Sequence, residues 1–362
     1  MQPKSTIIDL PVYQPGKPIE DVKRELGLEE VIKLASNENP YGCSEHAKQA
    51  IVEELGQTQL YPDGASVELV SALAEFYHVN ANQIIIGAGS DELIALLTRA
   101  YLLPGDETVM ATPSFVQYRH NAQIEGATCI EVPLVNGTHD LQAMAAAITD
   151  KTKIVWVCNP NNPSGTIVTK DELDEFVAKV PPHVMIVLDE AYSEYIDDPS
   201  YPDGLTYLDR YPNVIVLRTF SKAYGLAALR IGYGIGHPDV IKAINQVRGP
   251  FNTTRLSQAA ARAALKDQAF IAECRRKNRE GIQYLTGHFD RLGLSYYPAY
   301  GNFILVECRR DARELFDKLM RKGIIVRGGH TLGFPTAIRV TVGNEEQNAK
   351  FITALEEVLA ER

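Results

Sequence analysis

Cysteine is scarce in this 362-residue chain, and the five present (Cys43, Cys129, Cys158, Cys274 and Cys308) form no CxxC pair. An odd, scattered set argues against a disulfide framework and against a thiolate zinc site, and predicts a reduced, cytoplasmic setting. The eight histidines offer no HExxH and no HxH, so no metal site is expected. Positive charge is also short: 36 Lys and Arg face 46 Asp and Glu, a net charge of −10. Nucleic acid or an anionic membrane would require a basic stripe, so neither partner is expected. An anionic small substrate would need a local cluster of arginines. No apolar run approaches the roughly 18 residues of a membrane span. The N-terminal MQPKSTIIDLPVYQPGKP lacks an apolar core and is broken by Pro3, Pro11, Pro15 and Pro18, so it is not read as a signal peptide. The N-x-T triplets at Asn136 and Asn252 are then chance matches. Repeats and low-complexity tracts are missing as well.

What is present is ordinary for a globular enzyme: 45% apolar and 23% charged residues. The length suits one large domain with a smaller companion. Residues 1–44 read as a proline-rich arm and part of the small domain, 45–250 as the large domain, and 251–362 as the small C-terminal domain. Within the large domain, short apolar runs alternate with helical patterns: Ile84–Ile86, Thr108–Ala111, Ile154–Cys158, Val184–Leu188, Val214–Leu217 and Ile231–Ile235. Several runs are β-branched with no polar alternation, as in strands covered on both faces. The α/β class follows, with a mostly parallel sheet between helices. Beyond 251, helical stretches at 254–265, 267–291, 311–321 and 344–361 surround a few short strands, predicting a smaller α+β unit.

Four segments hold chemistry-bearing residues just after apolar runs, where open α/β sheets place their sites. TFSKAYGLAALR (219–230) sets Lys222 beside Thr219 and Ser221, with Arg230 eight residues on. A covalent lysine must lose its proton, and burial and neighbouring charge can arrange that; Thr219, Ser221 and Arg230 can hold a phosphate dianion. A plain surface loop is the alternative. VLDEAYSEY (187–195) carries Asp189 at a strand's end and Tyr192 three residues later; a capping acid and a core tyrosine would read the same. CNPNNPSG (158–165) is by itself only a turn. IIIGAGSDE (84–92) is strand, small residues and helix start, where backbone amides and Ser90 can bind phosphate. Asp91 and Glu92 oppose an anion there unless their side chains turn away.

In this order, GAGSDE, NPNNPSG, DEAY and SKAYGLAALR resemble the fold-type I pyridoxal-phosphate enzymes of the aspartate aminotransferase superfamily. The resemblance spans essentially the whole chain. YQPGKPIEDVKRELG, LASNENPYG, LYPDGAS, IIVRGG and IRVTVG resemble more narrowly the histidinol-phosphate aminotransferases. The fold implied is a large domain with a seven-stranded, mostly parallel sheet plus a smaller α+β domain. The implied cofactor is pyridoxal 5'-phosphate, bound covalently by Lys222, which also moves protons. Asp189 would pair with the ring nitrogen, Asn162 and Tyr192 with the ring oxygen, and Phe115 would cover the ring. Ser90, Asp91, Thr219, Ser221 and Arg230 would hold the phosphate. Tyr61 would complete that cup from the neighbouring subunit of a homodimer. Arg339, Arg327, Tyr13 and Asn302 would face the substrate; an arginine in AIRVTV can equally ladder with a nearby carboxylate. The expected reaction is transamination of histidinol phosphate with 2-oxoglutarate in histidine biosynthesis. An aromatic amino-acid aminotransferase and a phospho-amino-acid decarboxylase on the same fold are the rivals. A regulator with this fold would need a DNA-binding module, for which residues 1–40 are too short.

Overall fold

The computed structural model describes residues 1–12 and 16–361. Strands follow in chain order as β1 (Ile32–Lys33), β2 (Ile84–Gly87), β3 (Glu107–Thr112), β4 (Thr128–Pro133), β5 (Thr152–Cys158), β6 (Met185–Asp189), β7 (Val214–Thr219) and β8 (Gly232–Gly236). A second group comprises β9 (Ser295–Tyr296), β10 (Phe303–Glu307), β11 (Ile324–Ile325), β12 (Arg327–Gly328) and β13 (Ala337–Thr341). The large sheet has seven strands in the order β2-β8-β7-β6-β5-β3-β4. Only β8 runs against its neighbours. The carboxyl ends of β2, β3, β5, β6 and β7 and the start of β8 therefore share one edge.

The unbroken apolar runs have the cause expected of them. Val155, Val157, Ile186, Leu188 and Val216 point into one core with Leu73, Phe176 and Leu265. Ile154, Trp156, Val187, Ile215 and Leu217 point into the other with Leu93, Leu97 and Ile244. The sequence reading missed β4, an edge strand whose residues are mostly part-exposed, so it shows no continuous apolar run.

In the smaller unit, β12-β13-β10-β9 form an antiparallel sheet. Helices Ala312–Arg321 and Glu345–Ala360 pack on it through Leu315, Leu319, Phe351 and Leu355. Residues near the N-terminus join this unit, because β1 pairs in parallel with β11. Leu34 and Asn37 then run beside β13: the Thr341 amide donates to the Leu34 carbonyl, and the Asn37 amide to Thr341 Oγ1.

Candidate active site

Asp189 is the last residue of β6, register-paired with Cys158 of β5 and Leu217 of β7, and 3% exposed. Its Oδ2 accepts a 2.6 Å hydrogen bond from the Tyr118 hydroxyl. Among the described residues its buried Oδ1 has no hydrogen-bond partner. Burial pushes the carboxyl up to about 6, against the pull of the Tyr118 bond. A buried acceptor oxygen without a donor is costly, so its presence here points to a donor supplied by a ligand. Behind it, Glu190 takes two bonds from Arg218 (Nε at 3.0 Å, Nη2 at 2.7 Å), tying the end of β6 to the end of β7.

Three residues beyond β7 stands Lys222. Its Nζ donates to the Ser36 carbonyl at 3.2 Å and lies 5.7 Å from the centre of the Tyr192 ring. Burial, then the positive charge of Arg339, lowers the amine to about 8. An amine this easily deprotonated suits covalent and proton-transfer work.

On the other side of Lys222, Gly232 opens β8 in register with both Gly87 and Thr219. The preceding Arg230 thereby reaches between the β2 and β7 loops. Its Nη1 donates to Ser221 Oγ at 3.3 Å, and its Nη2 lies 3.8 Å from Asp91 Oδ2. Gly89, at φ +80°, leaves room that a side chain would fill: a Cβ there would sit 2.6 Å from Arg230 Nη2. A Cβ on Gly232 would press within 2.9 Å of the Ser90 amide. That amide opens helix Ser90–Tyr101. Thr219 Oγ1 accepts from the Ser221 amide at 3.0 Å. The Glu92 carboxylate turns away, capping the Ala88 amide and taking a bond from Asn252. Asp91 leans toward Arg230 instead; burial raises its carboxyl, with Arg230 and then Lys222 opposing.

Tyr192 and Asn162 lie together, with Asn162 Nδ2 donating to the Tyr192 hydroxyl at 3.4 Å. Asn162 Oδ1 accepts from Arg339 Nη1, whose Nη2 donates to the Ala35 carbonyl at 2.8 Å. Arg327 is register-paired with Arg339 across β12 and β13, so the two arginines stand side by side on one face of the small sheet. Asn302 Nδ2 clamps the Asn37 carbonyl at 3.0 Å, while among the described residues its buried Oδ1 has no hydrogen-bond partner. Phe115 packs edge-on against Tyr118, which stacks on Trp156 at 4.8 Å. Tyr61 is 79% exposed and stacks on Phe251 at 4.7 Å. Tyr13 lies outside the described residues.

Two participants escaped the sequence reading. Tyr118 is one helical turn beyond Phe115 in TPSFVQY, a spacing that puts both on one side of the helix. Asn37, in LASNENPYG, is buried at a positive φ of 56° and donates to the Tyr192 hydroxyl at 2.9 Å. The residues present fit pyridoxal phosphate. Oδ1 of Asp189 awaits a ring N–H, Lys222 lies alongside, and the glycine-lined space between Ser90 and Arg230 suits an anion.

Comparison with known proteins gives the family. Residues 29–355 match the family model for aminotransferase class I and II. A histidinol-phosphate aminotransferase of Brevibacillus brevis is 59% identical over 359 residues, 99% of each chain. One from Bacillus subtilis is 51% identical over 360 residues, 99% of this chain and all of the other. A solved Sinorhizobium meliloti histidinol-phosphate aminotransferase, in complex with pyridoxal-5'-phosphate, superposes with a TM-score of 0.91. It is 30% identical and covers 98% of this chain and 97% of its own. Matched along nearly its whole length, the chain belongs to the class I and II aminotransferase family.

Proposed function

We propose that this chain transfers the amino group of L-histidinol phosphate to 2-oxoglutarate, giving imidazole-acetol phosphate and L-glutamate in histidine biosynthesis. The observation that carries the reading is the pairing of Arg327 with Arg339 on one sheet face, with Arg339 reaching Asn162 at the site. Histidinol phosphate bears a phosphate and no carboxylate, whereas glutamate bears two carboxylates. Two forked cations side by side suit both anions. The names of relatives more than half identical along the whole chain support the same substrate.

Bound pyridoxal phosphate supplies an electron sink for the carbon that loses its proton. Each side chain then has a defined task. Lys222 would anchor the cofactor, and its amine, lowered to about 8 in the cofactor-free protein, would take a proton from the amino-bearing carbon and give one back. Asp189 Oδ1 holds a proton at the ring nitrogen. Asn162 and Tyr192 donate to the ring oxygen, and Phe115 covers the ring. The Ser90 and Asp91 amides, with Thr219, Ser221 and Arg230, bind the phosphate.

Tyr61, exposed on a surface that also shows Leu55 and Leu60 half-exposed, supports a homodimer in which it completes the neighbour's phosphate cup. The partners proposed are small molecules and a second copy, without nucleic acid or membrane. Among the described residues no helix is long and apolar enough to cross a membrane. A cytoplasmic location is proposed, and the five unpaired cysteines support it.

The decisive test is kcat/KM for histidinol phosphate, phenylalanine and tyrosine, each with 2-oxoglutarate. Histidinol phosphate should lead; the aromatic acids should react slowly, since apolar contact alone rejects a similar ring weakly. An aromatic acid in the lead would replace this reading with an aromatic amino-acid aminotransferase.

A further inference from the structure

The Tyr192 hydroxyl sits between two side-chain amides, and both are locked in orientation by their other neighbours. Arg339 can only donate, so Asn162 must turn Oδ1 to it and Nδ2 to Tyr192. The lock on Asn37 is less obvious. Its backbone N–H donates to Thr341 Oγ1 at 2.9 Å, and the Thr341 hydroxyl donates to Asn37 Oδ1 at 3.1 Å. That leaves Asn37 Nδ2 facing Tyr192 at 2.9 Å. A phenol has one hydrogen, and neither amide N–H can accept it. With the amides in this orientation the hydroxyl hydrogen points away from both, on a ring whose centre lies 5.7 Å from Lys222 Nζ.

Asn37 is also fixed as a whole. It is 1% exposed, adopts φ 56°, and has its carbonyl held by Asn302 Nδ2 at 3.0 Å. Thr341 lies in β13 and Asn302 immediately before β10, so the small unit sets where this amide sits. We propose that Asn37 is a positioning residue: acting through Tyr192, it aims a hydroxyl hydrogen at the cofactor's ring oxygen and thereby weakens proton binding at the Lys222 nitrogen. The inference rests on the reading of the site given above. Physically, an N–H donated into the phenol oxygen makes the phenol a better donor. A better donor to the ring oxygen stabilises its anionic form, which disfavours a proton on the adjoining Lys222 nitrogen.

The test is an absorbance titration of the cofactor-loaded protein across the neutral range, without amino substrate. Asn37→Gly keeps the positive-φ backbone and removes the donor. It should move the visible transition to higher pH by a few tenths of a unit, the fraction of the Tyr192 bond that polarisation by one neighbouring donor supplies. Asn37→Ala also removes the donor without adding charge, and should move it in the same direction. In a Tyr192→Phe background Asn37→Gly should add nothing. A shift just as large without the Tyr192 hydroxyl would overturn the inference, as would no shift in either variant. Should Asn37→Gly not fold, Asn37→Ala with and without Tyr192→Phe decides in the same way. A wild-type protein that binds pyridoxal phosphate with no visible, pH-dependent band would instead sink the reading of the site, and this inference with it.

Discussion

Asp189→Asn exchanges one carboxylate oxygen for an NH2 group at the buried end of β6, and two opposite effects follow. The first is on stability. Burial raises this acid from its ordinary 3.8 to about 6 in the cofactor-free protein. Between those values the unfolded chain has released a proton that the folded chain still holds. Stability contributed by this group therefore falls as pH rises from about 4 to about 6, and the loss is complete above that. The raised value corresponds to about 3 kcal/mol. Asparagine does not ionise, so cofactor-free Asp189→Asn should outlast cofactor-free wild type by up to about 3 kcal/mol at about pH 8, and match it near pH 4.

The second effect is on catalysis. Tyr118 donates to Oδ2, so the amide must give its oxygen to Tyr118 and turn NH2 toward the cavity. A donor then faces the ring nitrogen, which can no longer keep its proton. Losing that charge stabilisation in a dry site costs several kcal/mol of barrier, roughly a thousandfold in turnover. Urea unfolding of the cofactor-free proteins at the two pH values tests the first effect, and turnover of the loaded proteins the second. Near-wild-type turnover would reject the electron-sink role of Asp189. A cofactor-free variant less stable than wild type at the higher pH would reject the burial argument.

Borohydride reduction of the loaded protein should fix the cofactor to Lys222, and Lys222→Ala should abolish turnover; label on another lysine would contradict the assignment. Arg339→Lys keeps a charge but loses the fork to Asn162 and Ala35, and should lower kcat/KM in both half-reactions by roughly ten- to a hundredfold. Its cofactor absorbance should change little; equal loss of cofactor would show a role beyond substrate binding. Mixing Lys222→Ala with a Tyr61 variant defective in cofactor binding should restore activity in hybrid dimers, one site of which keeps both residues. No recovery under conditions that exchange subunits would remove Tyr61 from the neighbour's site.

Much of this enzyme is local in origin, and that part the sequence by itself determined. Strands such as Ile154–Cys158 and Val214–Thr219 are β-branched and apolar without alternation because both faces are covered, and that texture is legible residue by residue. Polar residues placed just past such runs emerge at the sheet's carboxyl edge, which is why Asp189, Lys222 and Ser90 could be singled out without coordinates, whereas Asn162 was named only by the family resemblance. The edge strand Thr128–Pro133 left no such trace, since solvent accepts either kind of side chain on its exposed positions. The tertiary structure alone decided how distant segments share hydrogen atoms. Tyr118 reaches Asp189 across 71 residues, and Asn37 reaches Tyr192 across 155. Arg327 stands beside Arg339 only through the register of two short strands. No local periodicity encodes such contacts: each depends on the burial that makes an unpaired donor or acceptor costly, and burial is settled only when the whole chain has packed.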